Sequence, residues 1–179
     1  CNGMGGSYTE SLLTEARNAI ENTDAGECNA GFIRPDAMLH IVLVSDEPEQ
    51  SEYFPAGETW QDLADQIIAK RGTAGRVRIS SIVGDVPDGC ESGGWFGSDA
   101  AAGTGYVDAT NYTNGVFLSI CADWASSNNL QLLAEASVLL DAYPLDYAAI
   151  ESSIEVMVNG YTVNANYWHY EATTQAVHF

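Results

Sequence analysis

Apolar residues recur along this chain in two alternating rhythms. Residues 10–21 (ESLLTEARNAIE) place Leu12, Leu13, Ala16 and Ile20 at helical spacing, after Gly3, Gly5 and Gly6. Ser7 followed three residues later by Glu10 fits a capping box at the start of that helix. A loop rich in Asn, Asp and Gly covers 22–35. The run LHIVLVS at 39–45 is then continuously apolar, as in a buried strand. Residues 59–70 return to helical spacing through Trp60, Leu63, Ala64, Ile67 and Ile68, and Gly72 and Gly75 end the pattern. RVRISSIVG at 76–84 reads as a second strand and GVFLSI at 115–120 as a third, with a short helix expected between them over 102–110. A further helix over 124–140 turns Leu130, Leu133, Ala134, Ala136 and Leu140 inward. Strands alternating with helices predict the α/β class, a mostly parallel sheet with crossover helices.

The rhythm changes near Pro144. Residues 154–158 and 161–163 flank Asn159 and Gly160, a strong two-residue hairpin signal, and Trp168, Tyr170, Val177 and Phe179 carry a β-rich pattern to the last residue. The expected organisation is an α/β domain over 1–143 and a small antiparallel extension over 144–179. Its final strand is expected to leave an open edge that another chain or a missing downstream segment could pair.

Composition sharpens this picture. With 179 residues, 46% of them hydrophobic, the chain can bury a core. Its 25 acidic against 6 basic residues give a net charge of -19, which repels nucleic acid and anionic membranes and draws divalent cations or basic partners. No apolar run approaches the roughly 18 residues of a membrane span. GxSxG, P-loop, Rossmann and HExxH motifs are absent, and neither His40 nor His169 nor His178 is placed beside a serine nucleophile, so a non-catalytic role is expected.

Cys1, Cys28, Cys90 and Cys121 contain no CxxC pair, which points to disulfides in an oxidising setting, secreted or cell-surface, rather than to zinc. Of the three possible pairings, Cys1 with Cys28 and Cys90 with Cys121 are expected, since each pair brackets one helical region. A lipid-modified Cys1 is the alternative. Asp46, delivered by an apolar strand to the carboxyl edge of the sheet, is the first candidate for function. Glu49 and Glu52 read as surface acids. Trp95, Phe96, Tyr167, Trp168 and Tyr170 read as core and hairpin packing, or as a stacking or interface surface. Asn111, Tyr112 and Thr113 form a glycosylation sequon, against whose use predicted burial nearby argues.

Four motifs resemble the von Willebrand factor type A domain, particularly its secreted bacterial version: GGSYTESLL at 5–13, FIRPDAMLHIVLVSDEPEQS at 32–51, VRISSIVGDVPDGC at 77–90 and TNGVFLSIC at 113–121. The resemblance covers residues 3–140. It implies a doubly wound sheet carrying a metal-ion-dependent adhesion site, where Mg²⁺ or Ca²⁺ is held by a DxSxS motif, a Thr in a second loop and an Asp in a third. Asp46 matches the third-loop Asp, and Ser7 stands where the Thr would, keeping the hydroxyl oxygen a hard cation requires. No DxSxS motif occurs, and the strands and helix that would carry it have no counterpart in this sequence. The resemblance therefore implies a missing N-terminal segment or a neighbouring subunit that completes the sheet. Function is expected to be adhesion to a protein or matrix ligand, or else a structural place in an extracellular assembly or filament with a vestigial metal site.

Overall fold

The computed structural model describes residues 10–34, 37–53, 57–72, 74–91, 99–138, 142–145, 147–158, 161–173 and 175–178. The chain divides into two compact units, Cys1–Val138 and Leu139–Phe179. In chain order the first holds α1 (Leu12–Glu21), β1 (Leu39–Val44), α2 (Trp60–Arg71), β2 (Val77–Val83), β3 (Cys90–Glu91), β4 (Asp99–Ala100), α3 (Tyr106–Tyr112), β5 (Phe117–Ser119) and α4 (Ser127–Ala136).

Strands β1, β2 and β5 form a parallel sheet in the order β1-β2-β5, with Leu39 beside Val77 and Ser81 beside Phe117. Parallel neighbours require long crossovers, which α2 and α3 supply. Leu39 and Leu43 of β1 and Val77, Ile79 and Val83 of β2 pack with Leu13, Ile20, Leu63, Ile67, Tyr106 and Ala109 in one buried cluster. Helices α1, α2 and α3 thus cover a single face of the sheet. On the alternate face stand His40, Val42, Val44, Ser80, Ile82 and Leu118. Ser80, Ile82 and Leu118 are buried there, but Val42 is 42% and Val44 50% exposed. Cover on this face reaches His40 at the start of β1 through Ser137 and leaves Val42 and Val44 open, on a strand that is also the edge of the sheet.

Local chemistry explains most boundaries. Thr59 caps α2 in a reciprocal capping box with Asp62, and Gly72, in the left-handed region at φ 85°, ends it. Buried hydroxyls bind α3 to β2: Thr110 Oγ1 donates to Ser81 Oγ at 2.9 Å, and Thr113 Oγ1 accepts the Ile79 N–H at 2.9 Å. Gly84 forms a parallel bridge to Ala102, and a Cβ there would stand 2.0 Å from the Ala101 carbonyl oxygen. Only glycine permits that approach. Ala102 is therefore held against β2, and the helix expected from residue 102 begins at Tyr106.

Two other expectations need correction. Helix α1 starts at Leu12 with Ser11 as N-cap and no side-chain cap, so a Ser7–Glu10 capping box does not open it. Helix α4 ends at Ala136 and has no buried residue. Leu130 is 47% exposed, Ala134 is exposed, and Leu133 and Ala136 are only half-buried. Leu140 lies outside the described residues. Periodicity shows which side of a helix is apolar, whereas tertiary packing decides whether that side is covered.

Cys90 and Cys121 are joined in a disulfide. Cys28 is also disulfide-bonded, and its expected partner Cys1 lies outside the described residues. No helix among the described residues is long and apolar enough to cross a membrane.

The second unit contains β6 (Ala142–Pro144), β7 (Met157–Val158), β8 (Tyr161–Thr162), β9 (His169–Glu171) and β10 (Ala176–His178). β7 and β8 pair antiparallel, Val158 beside Tyr161, on either side of Asn159 and Gly160, which lie outside the described residues. β10 lies between β6 and β9 in an antiparallel sheet. The terminal strand is thus paired on both sides rather than left as an open edge. Its β6 partner lies more than thirty residues back in sequence, beyond the reach of local pattern.

Candidate functional site

The carboxyl edge of the parallel sheet gathers most of the singled-out chemistry. The ladder extends one residue past β1, with Ser45 N–H donating to the Ile82 carbonyl at 3.2 Å. The Ser45 hydroxyl accepts the Glu47 N–H at 3.0 Å and donates to the Glu10 carboxylate. Glu47 Oε2 accepts from Gln50 Nε2 at 2.5 Å, and the Gln50 N–H donates to the Glu10 carbonyl at 2.8 Å. This turn therefore fixes the chain that leads into α1. Asp46 is exposed; its carbonyl accepts the Ala101 N–H at 2.8 Å, while its carboxylate has no hydrogen-bond partner among the described residues.

Glu49 is not the plain surface acid its position in a loop suggests. Its Oε2 accepts the Leu13 N–H at 2.9 Å and its Oε1 the Ser51 N–H at 3.0 Å, and the Tyr106 hydroxyl also bonds to it. Helix α1, without a cap from its own sequence, is capped by this carboxylate from across the fold. Burial raises the Glu49 pKa above its ordinary 4.5, against the lowering effect of the two N–H donors. The fully buried Tyr106 accepts the Leu12 N–H at 3.2 Å. Burial first, and then the charges of Glu49 and Glu10, push its phenol far up, so it stays neutral.

Beside this network opens a cleft of about 290 Å³, lined by Glu49, Glu52, Tyr53, Trp60, Thr104 and Asp108 among others. Asp108 Oδ2 accepts the Gly105 N–H at 2.8 Å and so starts α3. Trp60 is half-buried and presents an edge to Tyr112 at 5.9 Å, while Tyr53 is 79% exposed. The sequence EQSEYF at 49–54 already interleaves acids with aromatics immediately after the strand. Nothing in that local pattern shows which of these side chains meet in the fold.

No basic side chain lines this cleft. Arg34 precedes β1, Lys70 and Arg71 end α2, and Arg76 and Arg78 lie at the start of β2, which puts five of the six bases at the amino edge. The sixth, Arg17, pairs with Glu58 at 3.0 Å and Glu21 at 3.4 Å. Charge is thus polarised along the strands.

For a cation the fit is poor. Ser7 lies outside the described residues, and Glu10, Glu47 and Glu49 are each turned to protein donors. Of the acids in this turn only Asp46 has no hydrogen-bond partner among the described residues, and among those residues no three His, Cys, Asp or Glu side chains form a metal-holding group. Mg²⁺ or Ca²⁺ needs more oxygens than one carboxylate supplies.

The other candidates fall elsewhere. His40 does sit beside serines, contrary to expectation: Nε2 is 2.7 Å from Ser80 Oγ and Nδ1 is 2.5 Å from Ser137 Oγ. Ser80 is fully buried, and Ser137 Oγ also donates to the Leu133 carbonyl at 3.0 Å. Burial, then the positive charge of Arg78, lowers the His40 pKa, where a catalytic triad would place a carboxylate to stabilise the imidazolium. In the sequon the acceptor Asn111 is exposed, while Thr113 is 4% exposed and bonded to β2. In the second unit the Trp168 indole donates to the Val163 carbonyl at 3.4 Å, the Tyr170 hydroxyl accepts the Ala149 N–H at 3.1 Å, and Tyr167 is exposed. Trp95 and Phe96 lie outside the described residues. No protein-family model matches the chain, and comparison with curated proteins and with solved structures finds no significant match.

Proposed function

We propose that the chain is a non-catalytic, extracellular protein-binding module of von Willebrand type A-like design, which takes a basic segment of its partner at the carboxyl edge of its parallel sheet. The observation that carries this reading is the cleft between Trp60, Tyr53, Glu52 and Asp108, whose lining holds no basic residue. A guanidinium or ammonium there would lie against aromatic faces, worth about 0.5–2 kcal/mol, within reach of two exposed carboxylates. The disulfides favour an oxidising compartment. Calorimetric titration with an arginine-rich peptide is expected to give saturable binding that weakens about tenfold in the Glu52→Gln/Tyr53→Ala variant and little in Glu27→Gln, which removes the same charge in the exposed loop after α1. Equal affinity in all three proteins would refute the cleft.

A second reading keeps the cation-bridged adhesion site, supported by the spare carboxylate of Asp46. Since the described residues give a cation so few oxygens, Ca²⁺ and Mg²⁺ are expected to bind no tighter than about millimolar, with no change in Asp46→Ala. Micromolar binding lost in both Asp46→Ala and Ser7→Ala would instead establish the adhesion site.

A further inference from the structure

We propose that two copies of this chain pair antiparallel through β1, joining their three-stranded sheets into one six-stranded sheet about a two-fold axis at Val42. Strand β1 is LHIVLV, with no Asp, Glu, Lys, Arg, Pro or Gly, in a chain with 25 acidic residues. Its outer side has no backbone partner among the described residues. Edge strands normally carry a charge, a proline or a bulge against such pairing, and β1 has none of these. The face above it is open as well, at Val42 and Val44.

Geometry restricts the register. A two-fold axis perpendicular to the sheet keeps the helices of both copies on the same side, so residues of like face must meet. Centring the uncharged run 39–45 on itself satisfies this: Val42 meets Val42, Ile41 meets Leu43, and His40 meets Val44 of the second copy. The apolar face of each copy is then continued by the other.

Charge selects a second copy as the occupant. In the same register Asp46 and Glu47 fall opposite Met38 and Ala37 of the second copy. Those two residues line a cleft of about 360 Å³ at the amino edge, together with Phe32, Arg34, His40 and Arg71. Arg71 Nη2 already reaches the Ala37 carbonyl at 2.6 Å. Antiparallel pairing therefore brings the spare Asp46 carboxylate of each copy to the basic cleft of the other, twice by symmetry. A parallel partner strand would instead set acidic end against acidic end. The contact involves only the first unit and does not depend on the cleft at the carboxyl edge.

The test is sedimentation of the full oxidised chain. A species of twice 19.1 kDa is expected at micromolar concentration. Val42→Lys/Val44→Lys, which alters two exposed side chains, is expected to weaken it at least about tenfold while its thermal unfolding stays close to that of the original. Val42→Cys is expected to give a disulfide-linked dimer on mild oxidation, because Val42 faces itself across the axis; Tyr112→Cys, comparably exposed at the end of α3, is not. A monomer at all concentrations, a dimer indifferent to the double lysine variant, or equal cross-linking at both cysteines would overturn the proposal.

Discussion

Replacing Cys90 and Cys121 by serine is expected to lower the unfolding free energy by about 3–4 kcal/mol. The bridge closes a loop of sequence separation 31, for which the entropy removed from the unfolded chain has about that value. Inside that loop lie Tyr106, Thr110 and Thr113, all buried against α1 or β2, so the segment that loses its tether is part of the core. Near its start β3 and β4 share two residue pairs among the described residues, and Ala102 bridges to Gly84. Urea unfolding followed by tryptophan fluorescence measures the difference. A loss below about 1 kcal/mol would mean that packing of α3 holds the segment without the disulfide.

Glu49→Ala is expected to cost about 2–4 kcal/mol. It leaves the N–H groups of Leu13 and Ser51 without their acceptor, and each unsatisfied buried donor costs about 1–3 kcal/mol. Glu49→Gln keeps one acceptor oxygen, so its loss at neutral pH is expected to stay near 1 kcal/mol. The pH dependence separates burial from bonding. Because burial raises the folded-state pKa of Glu49, the protonated form is favoured in the fold: its contribution is full below pH 4.5 and is lost as the pH rises through the raised value. The original protein should therefore gain on the Gln variant as the pH falls towards 4.5. A constant difference across that window would show that the two N–H donors outweigh burial.

The sequence revealed the parallel sheet because β1 and β2 are apolar runs bounded by turn residues, with α2 amphipathic between them. Boundaries that depended on local chemistry were equally legible, as with Thr59, Asp62 and Gly72. What stayed hidden was set by contacts between distant residues. Helix α1 takes its cap from Glu49, thirty-six positions away, and α3 starts late because Gly84 lets residue 101 lie against β2. Asp46 is legible because a strand end announces it. The cleft is not, since Trp60 reads equally well as a core residue of α2 and Glu52 and Tyr53 as an ordinary loop. Only the fold shows them facing Asp108.

The most direct test of the proposed binding edge is to titrate the ¹⁵N-labelled chain with an arginine-rich peptide and map the amide and indole shifts. Saturable changes are expected at Glu49, Glu52 and Tyr53, at Thr104 to Asp108 and at the Trp60 indole, with the amino edge around Arg34 and Arg78 unmoved. Small changes spread over the whole acidic surface, with none preferring the cleft, would contradict it and leave the net charge of -19 as the sole cause of any association.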